Sequence, residues 1–148
     1  DLGYNFRLND LMSALGISQL EKLDKFIKER EKIAKIYNSL LSETSVVIPE
    51  QSLDTNSSRH LYIIRVPKER NLIFEHLRNN GIGVNIHYIP IYRQPFYKKY
   101  NYNYNDFPEA EAYYREAISI PIFPGLTKRQ QEKIIKIIQD PPGFQNLF

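Results

Sequence analysis

A helical pattern of unusual length constrains the fold most. Apolar residues recur at Leu11, Leu15, Leu20, Leu23, Ile27, Ala34, Tyr37 and Leu41, close to the helical period, which predicts one helix from Asp10 to Leu41. Asn9 is placed to cap it, and Asp10 favours its positive end. Glu21 with Lys25, Asp24 with Lys28 and Glu31 with Lys35 stand four apart and predict ion pairs on a solvated face. At 1.5 Å per residue the rod measures about 48 Å. A small core needs less, so the helix is expected to link two domains or to face a second subunit. Its mixed pairs show no sustained heptad, which argues against a lone coiled coil.

Behind the helix come short apolar runs ended by proline. Val46 to Ile48 predicts a strand closed by Pro49, and Glu50 to Ser58 an exposed loop. His60 to Val66 alternates, with Leu61, Ile63 and Arg65 on one face and Tyr62, Ile64 and Val66 on the other, so an internal strand is expected before Pro67. Asn71 to Asn80 predicts a helix stopped by Gly81, and Val84 to Tyr88 a further strand. Pro90 to Asn105 predicts a long tyrosine-rich loop, after which Asp106 is expected to cap a short helix with Pro108 in its first turn. Ile118 to Ile120 predicts a strand stopped by Pro121, and Thr127 with Gln130 a capping box for a last helix through Ile138. The fold class is therefore α+β: a long N-terminal helix and a small antiparallel sheet covered by helices on one face. Gly81-Ile82-Gly83 follows a helix and precedes a strand, the wrong order for a dinucleotide-binding fingerprint.

Composition excludes some functions. The 148 residues contain no cysteine, which rules out disulfide scaffolds, thiolate zinc sites and thiol catalysis and fits a reducing compartment. No apolar run reaches the roughly 20 residues of a membrane span. The three histidines show no paired ligand spacing, so no metal site is expected. A net charge of +3 is too small to imply a polyanionic partner by itself.

Several groups could carry function. Asn5 and Arg7 precede a helix N-terminus, where an amide, a guanidinium and free N–H groups suit a phosphate; equally, they could lock the entry turn. His87, Tyr88 and Tyr92 end a strand and open a long loop, a good place for a pocket wall, though a satisfied sheet-edge histidine and packed tyrosines would look the same. His60 leads into a strand and could touch a ligand or belong to a turn. Eight of the eleven tyrosines fall between Tyr88 and Tyr114, with Arg93, Lys98 and Lys99 among them. That mixture could stack bases and hold a nucleic-acid backbone, or form a lid or subunit contact. Glu109 and Glu111 read as partners of a helix dipole.

The ordered set Gly3-Tyr4-Asn5-Phe6-Arg7-Leu8, Gln19-Leu20-Glu21-Lys22-Leu23-Asp24, Arg59-His60-Leu61-Tyr62, Gly81-Ile82-Gly83-Val84, His87-Tyr88-Ile89-Pro90 and Ser119-Ile120-Pro121-Ile122-Phe123-Pro124-Gly125 resembles the DegT/DnrJ/EryC1/StrS aminotransferases. Asn5-Phe6-Arg7-Leu8, Lys22-Leu23-Asp24-Lys25-Phe26 and Phe96-Tyr97-Lys98-Lys99 are most similar to members serving pseudaminic acid biosynthesis. The resemblance implies the C-terminal portion of a fold-type I enzyme dependent on pyridoxal 5'-phosphate (PLP). Such an enzyme would be a cytoplasmic homodimer with shared active sites, passing an amino group, expected from glutamate, to C4 of a UDP-linked 4-keto-6-deoxy sugar. It implies cofactor contacts at Asn5 and Arg7 and substrate contacts at His87, Tyr88, Tyr92 and His60, with no nucleic-acid or membrane partner. It divides the chain into a cofactor-contact segment with the linking helix (1–45), a small α+β domain (46–140) and a loose tail (141–148). The Schiff-base lysine is expected upstream of this chain, so no catalytic residue is assigned and the chain alone is expected to be inactive. Residue 1 is an aspartate, which suggests that the text starts inside a longer product. Open alternatives are a tyrosine-rich nucleic-acid-binding module and a stand-alone dimerisation domain.

Overall fold

The computed structural model describes residues 7–140; Asn5 and the tail 141–148 lie outside them. The expected single rod is two helices, α1 (Asp10–Leu20) and α2 (Leu23–Leu41). At the join the Lys22 amide donates to the Gln19 carbonyl at 3.1 Å, three residues back, before the four-residue pattern resumes with Phe26 on Lys22 at 3.0 Å. No glycine or proline stands there, so residue type gave no warning of the break. The two halves also differ in surroundings. α1 buries nothing among the described residues, whereas α2 buries Ile33, Ala34, Tyr37 and Leu41 along one stripe. Asn9 does cap α1, accepting from the Met12 amide at 2.9 Å. None of the three expected ion pairs forms; with four methylenes of lysine to order in water, such a pair has little to gain.

The sheet has two antiparallel strands, β1 (Tyr62–Arg65) and β2 (Ala117–Ile120), in register Tyr62–Ile120, Ile63–Ser119, Ile64–Ile118 and Arg65–Ala117. The two other expected strands are reduced to single bridges, Val47 with Arg65 outside β1 and Asn85 with Ser119 outside β2. Only one residue of each meets its neighbour's hydrogen-bonding edge, and Pro49 cannot donate to a ladder. β1 is thus flanked on both sides, as expected of an internal strand.

Three helices cover one face of this sheet: α2, α3 (Arg70–Asn79) and α5 (Lys128–Gln139). Tyr37, Leu41, Tyr62, Ile64, Leu77, Ile118 and Ile138 are fully buried between them. α3 ends as expected on Gly81, whose φ of 75° is costly for a residue with a Cβ. Ile82 and Gly81 donate to the Leu77 and Arg78 carbonyls, the double bond of a Schellman stop. The expected capping box also forms: Thr127 accepts from the Gln130 amide and donates its own amide to the Gln130 side chain. α4 (Pro108–Glu116) has Pro108 in its first turn, but its cap is Phe107, and Asp106 belongs to the 3-10 turn before it. The expected loop from Pro90 holds three such turns, Ile91–Arg93, Pro95–Tyr100 and Tyr104–Asp106.

Candidate functional site

In antiparallel pairing, residues directly opposite share a face. Ile63, Ser119 and Asn85 therefore stand in a row on the face of the sheet away from α2, α3 and α5. His87, two residues beyond Asn85, reaches back to this row: its Nδ1 lies 2.7 Å from Ser119 Oγ, and its Nε2 lies 3.4 Å from Asn85 Nδ2. A neutral imidazole with the proton on Nδ1 satisfies both contacts, donating to the serine and accepting from the amide. The ring is thereby fixed while the residue stays part-exposed. Tyr88 meets it edge-on at 4.6 Å, and that phenol is 71% exposed. Ser119 is the partner that the sequence reading missed. A lone hydroxyl residue between Ile118 and Ile120, at the outward parity of a short strand, is the signal that could have found it.

Tyr92 is oriented differently. Its hydroxyl donates to Glu111 Oε1 at 2.8 Å, and Arg93 grips the same carboxylate with two nitrogens, Nε at 2.9 Å and Nη2. Both acidic residues lie in the first turn of α4 as expected; Glu109 is exposed, whereas Glu111 is buried beneath the tyrosine-rich segment. Phe107 stacks on Tyr92 at 4.4 Å, and the Arg93 guanidinium lies 4.4 Å from the Tyr104 ring centre. The hydrogen bond from Arg93 holds the Glu111 carboxyl below the usual carboxylate range. Desolvation, then the bond to Glu111, pushes the Tyr92 phenol upward.

A groove of about 570 Å³ runs along the outer side of β1, floored by Leu61 and Ile63 and walled by Arg59, Arg65 and Tyr113. Arg65 pairs with Glu116 at 3.3 Å, and Arg59 donates to the Gln51 side chain. His60 is exposed and does not line this groove. Among the described residues no hydrogen bond joins it to His87. Arg7 is exposed two residues ahead of the α1 cap and makes no ion pair with a described residue. His87 and Tyr88 thus share one surface, Tyr92 is tied to α4 beside them, and Arg7 and His60 stand apart. No cluster of three metal-ligating side chains occurs among the described residues. No helix of the described residues is long and apolar enough to cross a membrane.

Comparison with known proteins agrees with this architecture. The model of the DegT/DnrJ/EryC1/StrS aminotransferase family matches residues 1–139. The UDP-4-amino-4,6-dideoxy-N-acetyl-beta-L-altrosamine transaminase of Campylobacter jejuni subsp. jejuni serotype O:2 is 40% identical over 126 residues, 82% of this chain and 33% of that protein. Helicobacter pylori PseC, an aminotransferase of pseudoaminic acid biosynthesis, superposes with a TM-score of 0.84 at 32% identity, covering 94% of this chain and 38% of that one. Spr1654 of Streptococcus pneumoniae in its PLP form superposes at 0.83 with 31% identity, covering 89% and 35%. The chain spans about a third of the length of these relatives. The family model spans the helices and the sheet edge that carries His87, and the chain belongs to the DegT/DnrJ/EryC1/StrS aminotransferase family.

Proposed function

We propose that this chain is the C-terminal part of a PLP-dependent aminotransferase, which passes an amino group from glutamate to C4 of a UDP-linked 4-keto-6-deoxy sugar in surface-glycan sugar biosynthesis. The observation that carries the reading is the unbroken family match from residue 1 to 139, on a fold shared with PseC at a TM-score of 0.84. The enzyme on this reading is a cytoplasmic homodimer. Residues 1–45 serve cofactor contact and linkage and residues 46–140 form the small domain, whose core α2 also closes with Ile33, Ala34, Tyr37 and Leu41.

Arg7 fits the phosphate of the cofactor: an exposed guanidinium next to the positive end of an 11-residue helix suits a dianion. Asn5, outside the described residues, would hold the same group. When bound, PLP supplies the electron sink and carries the amino group. His87, held by Ser119, offers a fixed imidazole edge to sugar hydroxyls, and Tyr88 an open phenol face beside it. Tyr92 shapes the wall behind them, whereas His60, exposed two residues before β1, stands apart from this surface. On the aminotransferase reading the covalent anchor belongs elsewhere in the enzyme and the chain alone transaminates nothing; the lysines of α2 and α5, exposed on those helices' outer faces, are in keeping with that.

Purified full-length protein carrying this chain should show PLP absorbance and, with glutamate and the UDP-4-keto sugar, yield the 4-amino sugar by mass spectrometry. Absence of both would sink the reading. Arg7→Ala should weaken PLP binding by about tenfold or more, the usual worth of a charge-assisted hydrogen bond. Cofactor titration reads this directly.

A further inference from the structure

The stretch between His87 and Arg93 is fastened at two points on one continuous piece of chain. At its start, Asn85 bridges Ser119 and His87 bonds the Ser119 hydroxyl. At its end, Tyr92 and Arg93 both bond the Glu111 carboxylate. Ser119 lies in β2 and Glu111 in α4, and α4 runs directly into β2 at Glu116–Ala117. Between the fasteners Tyr88, Ile89 and Ile91 stand 71%, 38% and 68% exposed. The segment is therefore an arch with its apolar and phenolic surface outward.

Among the described residues no backbone hydrogen bond does the fastening on the loop side. From Arg93 to Phe107 the turn hydrogen bonds run three residues back along the same segment: Arg93 to Pro90, Gln94 to Ile91, Tyr97 to Gln94, Asn101 to Lys98, Asp106 to Asn103 and Phe107 to Tyr104. These tie the loop to itself and not to the sheet. Side chains supply the anchorage, and the Glu111 carboxylate is the one charged acceptor on which Tyr92 and Arg93 converge. Planar guanidinium and carboxylate meet as a fork, which fixes direction as well as distance.

We infer that Glu111 is a positioning residue: from behind the arch it holds Tyr88 to Ile91 in the shape that receives the sugar nucleotide, without touching it. This rests on the aminotransferase reading. In such an enzyme the donor half-reaction needs no sugar, so loosening the arch should spare it and harm only the acceptor half.

The test uses the full-length enzyme with Glu111→Gln, which keeps the shape and removes the charge. KM for the UDP-4-keto sugar should rise about tenfold, as expected when the binding-competent fraction falls to roughly a tenth. The spectral change of PLP on adding glutamate should keep its wild-type rate. Independently of activity, trypsin should cut at Lys98 or Lys99 about tenfold faster, because the loop opens more often. Arg93→Lys retains a cation but not the fork and should give a smaller shift in the same direction. Tyr92→Phe, which removes a single hydroxyl contact, serves if Glu111→Gln fails to fold, with a rise of about threefold. An unchanged KM with unchanged proteolysis overturns the inference, as does an equal loss in both half-reactions. If the wild type shows no spectral change with glutamate, the aminotransferase reading fails, while faster trypsin cleavage of Glu111→Gln still supports the fastening of the loop.

Discussion

Gln131 offers a sharp test of how this core is held together. It is fully buried on α5, and its Nε2 donates to the Ile33 carbonyl of α2 at 2.9 Å. Its Oε1 is buried without a partner among the described residues. The Ile33 carbonyl lies inside a regular helix and keeps its own partner, the Tyr37 amide, whatever stands at 131. Replacing Gln131 by leucine removes one hydrogen bond, worth about 1 kcal/mol, and removes an unpaired buried carbonyl, whose cost is about 1–3 kcal/mol. Volume is nearly kept, so no cavity opens. Gln131→Leu should therefore stabilise the chain by about 1 kcal/mol. Gln131→Ala loses the bond and also opens a cavity, and should destabilise by about 2 kcal/mol. Urea unfolding followed by far-UV circular dichroism resolves a gap of this size. If the leucine variant falls as far as the alanine variant, the side-chain amide is earning its place through a satisfied Oε1, and the reasoning is wrong.

Two further outcomes follow from local geometry. Thr127→Ala removes the capping hydroxyl of α5 and should cost about 1 kcal/mol, with Thr127→Asp largely restoring it; no loss in the alanine variant would show that the box adds nothing. Burial pushes the Tyr62 hydroxyl, which donates to Asn38 at 2.5 Å, up to about 12. The unfolded phenol titrates near 10, so the stability that Tyr62 provides is intact below that pH and drains away as pH rises toward about 12. Tyr62→Phe should lessen the fall of stability over that window in a pH series of urea midpoints, the remainder coming from the likewise raised Tyr37, and an unchanged slope would contradict the assignment.

Short-range chemistry was legible in the chain itself. Thr127 with Gln130, Gly81 after α3, Asn9 before α1 and Pro121 after β2 each mark an end through one residue's hydrogen-bonding or φ preference, and those ends stand where expected. The alternation of β1 and the stripe of α2 were legible for the same reason, since burial on one side imposes a period. The α+β class follows from those elements, and the family from the ordered motifs along them.

Other features needed neighbours in space. Periodicity continued through Glu21 and Lys22, where the helix breaks, because αR angles persist there while the Lys22 amide reaches only three residues back and the four-residue ladder resumes at Phe26. The runs around Val47 and Asn85 have strand-like composition, yet a strand exists only as far as a partner's edge pairs with it, and each finds one partner residue. Ser119 beside His87, and Glu111 beneath Tyr92 and Arg93, join residues separated by 32 and by 19 and 18 positions. Sequence alone determined what each segment prefers, since caps, turns and amphipathic stripes are properties of adjacent residues. Tertiary structure decided which polar groups meet, because a hydrogen bond between distant positions depends on how sheet register and helix packing bring them within 3 Å.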